Sequence, residues 1–169
     1  MYTLLTGACG GLGGAFARLL ARRGQALFLT GRSEERLASL ADALHAEFPG
    51  LPVLHCACDL ADSAQRAALF AFADGQGVRF SRLVYVAGID TQKAFEAYSE
   101  EKLVMQTRVN LEGAVSLAHG VLMRRSEQTV CELLAVGSMS ASAPMPYFAL
   151  YSAIQNCSSA FLVALYRAK

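Results

Sequence analysis

Three polar side chains near the end of the sequence have types and a spacing that suit chemistry at an oxygen atom. Ser138 precedes Tyr151 by 13 positions, and Gln155 follows the tyrosine by four. Residues i and i+4 share one face of a helix, and a helix is predicted here. A free phenol, with a pKa of about 10, is a poor base at neutral pH. Taken singly, Ser138 is as readily a turn cap, and Tyr151 an aromatic of a subunit interface.

A glycine-rich loop near the start of the chain is the second group with possible chemistry. From residue 6 it reads TGACGGLGG, between a predicted strand and a predicted helix. Backbone without side chains at a helix N-terminus allows N–H groups to approach a pyrophosphate. No Lys-Ser/Thr pair follows the glycines, so the loop is not a P-loop. A nucleotide site is the functional interpretation, and a glycine-rich turn without a ligand is the alternative.

Short apolar runs alternate with helical patterns along the whole chain. Strands are predicted at residues 2–6, 26–30, 52–56, 82–86 and 129–136. Helices are predicted at residues 11–23, 62–73, 99–124 and 150–167, and over the stretch between Ser33, a candidate N-cap, and Pro49. This alternation predicts βαβ units, a parallel sheet and one α/β domain over residues 1–169. The inner face of the first helix is predicted to consist of Leu12, Phe16, Leu19 and Leu20.

Composition and charge exclude several classes of function. Hydrophobic residues make up 54% of the chain and charged residues 17%, below the roughly 25% charged residues usual in soluble domains. The net charge is +1, which gives no electrostatic basis for binding nucleic acid or an anionic membrane. No apolar run reaches the roughly 18 residues of a membrane span. The first residues lack a basic segment, so no signal peptide is expected.

The five cysteines show no paired pattern, and we expect reduced thiols in a cytoplasmic protein. His55, Cys56 and Cys58 lie close enough in sequence to suggest a metal site. Neighbouring ligands on one strand are poorly placed around a metal, and no second cluster follows. Packing in the core is therefore the favoured interpretation, and no metal is predicted.

Several motifs in order resemble the short-chain dehydrogenase/reductase family. A threonine precedes Gly7, Gly11 and Gly13, whose spacing differs from the commoner Gly-x-Gly-x-x-Gly. Further matches are Asp59-Leu60, near the adenine in that family, Ala87-Gly88 after strand 4, Asn110 in a helix, and Ser138 with Tyr151. The family usually has Asn-Asn-Ala-Gly after strand 4, and Tyr85 and Val86 replace the two asparagines. The resemblance covers essentially the whole chain and implies a Rossmann-type sheet of order 3-2-1-4-5.

The resemblance also implies an activity, which is hydride transfer between a nicotinamide and a carbonyl or alcohol. Tyr151 would exchange a proton with the substrate oxygen, Ser138 would hold that oxygen, and Asn110 would support a water path. The family's lysine, which lowers the tyrosine pKa, is replaced by Gln155. A glutamine can bind a ribose hydroxyl but carries no charge, so we expect weakened catalysis with nucleotide binding retained. Asn110 alone is equally explained as a helix-surface residue or one that bonds the backbone.

The residues after strand 2 bear on the choice of cofactor. An NAD site usually places Asp or Glu there, to bind the ribose 2′-hydroxyl. This chain has Arg32 and Ser33, with no carboxylate before Glu34. Arginine suits a 2′-phosphate, so NADP is favoured over NAD. The expected cofactor contacts are Thr6, Gly7, Gly11, Leu12, Gly13, Arg32, Ser33, Asp59, Leu60, Ala87 and Gly88.

The end of the chain departs from the family pattern, because members normally continue through another helix and two strands. The predicted last helix is apolar around much of its circumference, and we expect a homodimer or higher homo-oligomer. Residues 141–150 are candidates to line a pocket for an apolar carbonyl compound, or are a plain connecting loop. Three readings stay open at this point: an active reductase, a non-catalytic dinucleotide-binding module, and a truncated fragment that acts through self-association.

Overall fold

A computed structural model describes residues 1–127 and 130–167. Five strands form one sheet: β1 (Tyr2–Thr6), β2 (Ala26–Gly31), β3 (Val53–Ala57), β4 (Phe80–Tyr85) and β5 (Glu132–Ala135). Their order is β3-β2-β1-β4-β5, and every neighbouring pair is parallel. The predicted fold class and strand order are confirmed. β5 is shorter than the predicted 129–136, and Thr129 lies outside the described residues.

Helices cover both faces of this sheet. They are α1 (Gly11–Arg22), α2 (Glu34–Glu47), α3 (Ser63–Gly75), α4 (Glu100–Thr107), α5 (Gly113–Met123) and α6 (Ala149–Arg167). The single helix predicted at residues 99–124 is divided, because a π-helical segment, Arg108–Glu112, joins α4 to α5. None of the helices within the described residues is long and apolar enough to cross a membrane.

Side-chain caps explain where three of the helices begin. Ser33 Oγ accepts from the Arg36 N–H at 3.3 Å, and Asp62 Oδ1 accepts from the backbone of the first turn of α3. Ser99 Oγ does the same at the start of α4. Such caps satisfy N–H groups that have no partner inside the helix. The prediction that Ser33 caps a helix is confirmed.

The core has two layers, one on each face of the sheet. One layer packs around Phe28, Leu69, Phe80 and Leu117, and the other around Leu5, Leu20, Leu27 and Leu37. The continuous apolar runs of β1 and β2 are buried from both sides, as parallel strands usually are.

The predicted inner face of α1 is wrong in part. Leu12 is 50% exposed and Leu19 43%, while the small residues Gly13 and Ala17 are buried. A Cβ added to Gly13 would lie 2.1 Å from the Gly7 carbonyl oxygen. Helix α1 therefore approaches the backbone at Gly7 so closely that only small side chains fit between the two. The bulkier Leu12 and Leu19 face outward.

Candidate cofactor and catalytic site

The residues singled out from the sequence follow the carboxyl ends of the strands, along one edge of the sheet. The strand order reverses between β1 and β4, so the crossovers from these two strands lead to opposite sides. In open parallel sheets a crevice forms at such a switch point, and ligands bind there. The glycine loop follows β1, Ala87 and Gly88 follow β4, and Ser138 follows β5.

Two glycines of the loop are required by close packing of backbone against backbone. Gly7 has φ +62°, and a Cβ there would lie 3.0 Å from the backbone of Ala87. Gly13 lies directly against Gly7, as described above. Both positions therefore need glycine whether or not a ligand binds.

Gly11 is different, because it faces open space. No atom lies within 4 Å of a Cβ added to this first residue of α1. N–H groups in the first turn of a helix lack intrahelical partners and attract anions. Gly11 and the neighbouring Leu12, itself half exposed, are thus where a pyrophosphate can approach the loop.

Thr6 lies beneath the crevice and is fully buried. Its Oγ1 accepts hydrogen bonds from the N–H groups of Val86 and Ala87, both at 3.0 Å. The hydroxyl therefore joins the end of β1 to the segment after β4. This contact places Thr6 as a support for the crevice wall.

Two charged residues after β2 differ in their surroundings, because Arg32 is free to bind a ligand and Glu34 is bound to other groups of the protein. Arg32 is exposed and has no hydrogen bond or ion pair with any described residue. Glu34 is turned towards the edge strand β3, where Oε2 accepts from the Ala57 N–H at 3.1 Å and Oε1 lies 2.9 Å from His55 Nδ1. Ser33 Oγ is engaged by the cap of α2.

Arg36 is a residue of the site that the sequence analysis missed. Its Nη2 donates to the Cys9 carbonyl oxygen at 2.6 Å, so α2 holds the glycine loop from outside. A groove of about 460 Å³ lies between the loop and α2, with Arg18 and Glu35 also on its walls. The available signal was the position of Arg36 in the first turn of α2, four residues after Arg32.

Asp59 and Leu60 belong to a hydrogen-bonded turn and do not form an open surface. The Asp59 N–H donates to Gln65 Oε1 at 2.8 Å, and Asp59 Oδ1 accepts from the Ala61 N–H at 3.0 Å. The Leu60 side chain is buried in the core. Any contact of Leu60 with a ligand would therefore come from its backbone.

Asn110 is buried in the π segment, and both ends of its amide bond the backbone of one residue. Its Oδ1 accepts from the Ile89 N–H at 2.9 Å, and its Nδ2 donates to the Ile89 carbonyl at 2.6 Å. The helix-surface interpretation of Asn110 is wrong, and the backbone-bonding one is confirmed. Asn110 thereby fixes the segment that continues from Gly88, at the β4 side of the crevice.

The π segment itself is tied to its surroundings at several points. The Tyr85 hydroxyl donates to the Val109 carbonyl at 2.5 Å, and burial raises the pKa of this phenol well above its usual value. Arg66 of α3 is buried against α5, donates to the Leu60 carbonyl at 2.5 Å and pairs with Glu112. The sequence analysis missed the contacts of Tyr85 with Val109 and of Arg66 with Glu112, because they join residues 24 and 46 positions apart.

Ser138 both follows β5 and caps a turn. Its Oγ accepts from the Ser140 N–H at 3.2 Å and lies 2.9 Å from Ser140 Oγ, at the start of a short 3₁₀ turn, Met139–Ala141. The turn-cap interpretation of Ser138 is therefore confirmed. It does not exclude chemistry, because a hydroxyl has one proton to donate and two lone pairs.

Tyr151 and Gln155 share a face of α6, and both are partly buried. The Tyr151 ring packs against Phe148, with ring centroids 5.9 Å apart. Neither the Tyr151 hydroxyl nor the Gln155 amide bonds any group in the described part of the chain. Ser158, one turn after Gln155, lies with Oγ 3.5 Å from the Asn110 carbonyl oxygen. Helix α6 therefore meets the π segment, and the amide of Gln155 and the hydroxyl of Tyr151 are available to a ligand.

The segment of β3 and the residues after it that carries His55, Cys56 and Cys58 has no metal-site geometry. His55 is engaged with Glu34, and burial raises the pKa of the Cys58 thiol to about 12. Over residues 1–127 and 130–167, no three His, Cys, Asp or Glu side chains gather as metal ligands. The cysteines of the described residues form no disulfide bond.

This geometry fits a dinucleotide. An open helix N-terminus at Gly11 suits a pyrophosphate, and an unpaired guanidinium at Arg32 suits a further phosphate. At the other end of the crevice stand Ser138 and Tyr151, whose hydroxyls can hydrogen-bond a substrate oxygen. The site has the parts for nucleotide binding on the β2 side and for proton exchange on the β5 side.

Comparisons with known proteins agree with this interpretation. Residues 2–167 match the family model described as short chain dehydrogenase. The curated "Uncharacterized oxidoreductase DltE" of Bacillus subtilis (strain 168) is 29% identical over 165 residues, which are 96% of this chain and 63% of that protein. The chain thus spans under two thirds of that relative's length.

Two solved structures are similar throughout the chain. An alcohol dehydrogenase from the archaeon Thermococcus sibiricus, complexed with 5-hydroxy-NADP, has a TM-score of 0.90 and 27% identity, over 97% of this chain and 69% of that one. A short-chain dehydrogenase from Sphingobium yanoikuyae, in complex with NADPH, has a TM-score of 0.83 and 28% identity, over 92% of this chain and 60% of that one. The chain belongs to the short-chain dehydrogenase family.

Proposed function

We propose that this chain is an NADP-preferring oxidoreductase that acts on a carbonyl or alcohol substrate. The observation that carries the proposal is the open crevice above the sheet, with Gly11 at its centre. On one side of Gly11 lies the unpaired Arg32, and on the other lie the segments that carry Ser138 and Tyr151. The bound nicotinamide would supply or accept the hydride.

The residues of the β5 side would handle the proton and the substrate oxygen. The Ser138 hydroxyl can donate a hydrogen bond to that oxygen, because its Oγ only accepts from Ser140. The Tyr151 phenol has no protein partner in the described residues and can donate its proton to a carbonyl being reduced. The reverse reaction needs the phenolate, which Gln155 does not stabilise. Carbonyl reduction is therefore the favoured direction.

NADP is favoured over NAD because Glu34, the first acid after β2, is engaged by other groups of the protein. Glu34 accepts the Ala57 N–H and faces His55, so it is not directed at a ribose 2′-hydroxyl. Arg32 is free to pair with a 2′-phosphate. Both solved relatives described above are complexes with NADPH or an NADP derivative.

Thermal melting with each cofactor tests the binding half of the proposal. Since a ligand of the folded state must raise its stability, NADPH should raise the melting temperature more than NADH does. Arg32→Ala should remove most of this difference. Arg23→Ala is the matched control, because Arg23 is also exposed but lies at the end of α1, at the opposite edge of the sheet. Equal shifts with the two cofactors in the unaltered chain would contradict the NADP preference.

The loss of NADPH absorbance with a panel of carbonyl compounds tests the catalytic half. We expect slow turnover that Tyr151→Phe abolishes and Gln155→Lys increases by about tenfold or more, since a cation on the same helix face favours the phenolate. The second candidate function is a non-catalytic dinucleotide-binding module, which the uncharged Gln155 favours. Stabilisation by NADPH without turnover, in both the unaltered chain and Gln155→Lys, would establish that alternative.

We further propose that the chain forms a homodimer, in a reducing compartment such as the cytoplasm. Apolar side chains are exposed on α4 and α6, among them Val104, Met105, Val163 and Tyr166. Exposed apolar patches often mark interfaces. Light scattering should give about twice the chain mass of 18.0 kDa, and Val163→Glu should reduce it to that of one chain.

A further inference from the structure

The π segment is a discontinuity in an otherwise α-helical stretch, and its position is informative. Arg108–Glu112 interrupts the run from α4 to α5 at Asn110. A π turn bonds i to i+5, so it disturbs the regular i to i+4 pattern, and such turns are frequent at functional sites. A backbone carbonyl released in this way needs another donor.

Tyr85 is that donor for the carbonyl next to Asn110. It lies at the end of β4, is 5% exposed, and its hydroxyl donates to the Val109 carbonyl at 2.5 Å. A buried phenol normally finds one hydrogen-bond partner, and here the partner is the backbone of the π segment.

Gly113 makes room for this contact. A Cβ added there would lie 2.9 Å from the Tyr85 hydroxyl oxygen and 3.2 Å from the carbonyl oxygens of Arg108 and Leu60. The Tyr85 phenol therefore occupies the space that a side chain at position 113 would need, although the two residues are 28 positions apart in sequence.

The contact leads directly to the crevice. Val109 precedes Asn110, whose amide holds the Ile89 N–H and carbonyl at 2.9 and 2.6 Å. Ile89 continues from Ala87 and Gly88, on the β4 side of the crevice. Arg32 lies after β2, on the opposite side. A dinucleotide that lies across this crevice with its adenosine near Arg32 has its other half near Ile89.

We propose that Tyr85 is a positioning residue, which through the π segment and Asn110 fixes the wall that receives the nicotinamide half of the cofactor. This inference rests on the proposed function. It predicts that loss of the phenol hydroxyl weakens binding of that half and leaves binding of the adenosine half unchanged.

Tyr85→Phe tests the inference with two probes, NADPH and adenosine 2′,5′-bisphosphate, which has only the adenosine half. Dissociation constants are measured by calorimetry for the 169-residue chain. The variant should bind NADPH about tenfold more weakly, which corresponds to the loss of one hydrogen bond, and the bisphosphate within about twofold of the unaltered chain. Tyr2→Phe is the control, because Tyr2 packs on the same core layer from the far end of β1 and should alter neither constant.

The outcomes distinguish the inference from the proposed function. Equal weakening of both probes, or of neither, would overturn the positioning role and leave the proposed function intact. No binding of either probe by the unaltered chain would overturn the proposed function and this inference with it. As a second measurement, Gly113→Ala should weaken NADPH binding, and adding Tyr85→Phe to it should produce no further loss, since both changes disturb one contact. Additive losses would contradict the shared contact.

Discussion

The two sides of the crevice are built in different ways. On the nucleotide side, consisting of β1 to β3 with α1 and α2, the glycine loop packs backbone against backbone, as between Gly13 and Gly7, although Glu34 and Arg36 also bond backbone groups. The catalytic side, consisting of β4, β5 and α4 to α6, depends on side chains that reach backbone groups, as Asn110 does. β2 is buried along its length, whereas β5 alternates between exposed and half-buried residues. Where backbone packs directly against backbone, only glycine fits, whereas a side-chain contact can be made by more than one residue type.

The catalytic side also contains several groups in unusual environments. Gln106 in α4 and Ser152 in α6 are buried, and their side-chain polar atoms have no hydrogen-bond partner among the described residues. Tyr147, in the loop before α6, has φ +66°, a conformation that is costly for a bulky residue. These features lie near Tyr151 and Asn110, where function is proposed. Departures from regular packing are expected at functional sites.

Gly13→Ala has the largest expected effect and tests whether the nucleotide side tolerates any side chain. The new Cβ would lie 2.1 Å from a backbone oxygen, which cannot move away as a flexible side chain would. We expect the free energy of unfolding to fall by about 3 kcal/mol or more, measured by urea denaturation.

Gly11→Ala is the matched control for Gly13→Ala, because its Cβ enters open space at the helix start. It should change the unfolding free energy by less than about 1 kcal/mol. NADPH binding should nevertheless weaken by about tenfold, since the methyl group stands where a pyrophosphate approaches. If both variants unfold at the same urea concentration, the difference drawn between the two glycines is wrong.

The same contrast explains what could be predicted from the sequence. The glycine spacing and the apolar strands of the nucleotide side follow local rules, so β1, β2 and the Ser33 cap were predicted closely. The inner face of α1 was not, because hydrophobicity favours leucine where close approach demands glycine and alanine. On the catalytic side, the π segment was missed because the group that satisfies its Val109 carbonyl, the Tyr85 hydroxyl, comes from a distant strand. No local pattern marks that contact.

The candidate site was predictable as a set of positions but not as a set of contacts. Ser138, Tyr151 and Gln155 were singled out by their spacing together with the family resemblance. That Thr6 supports the crevice from below, and that Leu60 points into the core, depends on how the elements pack. The engagement of Glu34 with β3 was equally unreadable, because Ala57 is 23 positions away. The residue types and their order along the chain indicate which residues lie close together. The packing of the elements determines which of their atoms form hydrogen bonds.

Asn110→Asp tests whether changing a side-chain contact on the catalytic side lowers the stability as much as changing a packed glycine on the nucleotide side. The substitution keeps the acceptor for the Ile89 N–H but places a second oxygen against the Ile89 carbonyl. We expect a loss of about 2 kcal/mol in unfolding free energy at pH 7.5. Because the protonated carboxyl can again donate to that carbonyl, the pKa of the new aspartate should be raised in the folded state.

The pH dependence of Asn110→Asp follows from this sign. A carboxyl with a raised folded-state pKa destabilises the fold when ionised, so the loss should diminish as the pH falls towards about 4. Denaturation midpoints between pH 4 and 7.5, compared with those of the unaltered chain, measure this recovery. Asn156→Asp is the control, since the Asn156 Nδ2 also donates to a backbone carbonyl, that of Ala141 at 3.0 Å, but is exposed on α6, where water can satisfy the groups left unpaired. A loss that is the same at every pH would refute the assignment of Asn110 as a donor to Ile89.

Gln106→Met should have a smaller effect of opposite sign. The Gln106 carboxamide is buried without a partner in the described residues, and replacing such a group by an apolar one of similar size removes its desolvation cost. We expect a gain of about 1 kcal/mol, or roughly 2–4 °C in melting temperature. Gln65→Met is the matched control, because Gln65 accepts from Asp59 and donates to Asp62 and should lose stability. Destabilisation by Gln106→Met would mean that water or a ligand satisfies the amide.

Asp62→Ser has the smallest expected effect and isolates the charge of one cap at the boundary between the two sides. Hydrogen bonds from the backbone and side chain of Gln65, and from the Ala64 N–H, lower the pKa of Asp62. Its contribution is therefore present above the ordinary aspartate pKa of about 3.9, and it is lost as the pH falls below that value. A serine cap, like those at Ser33 and Ser99, keeps an accepting oxygen but does not titrate. The difference in urea midpoint between the unaltered chain and Asp62→Ser should favour the former at pH 6 and shrink by pH 2.5. A difference that stays constant over this range would show that the geometry of the cap, and not its charge, stabilises α3.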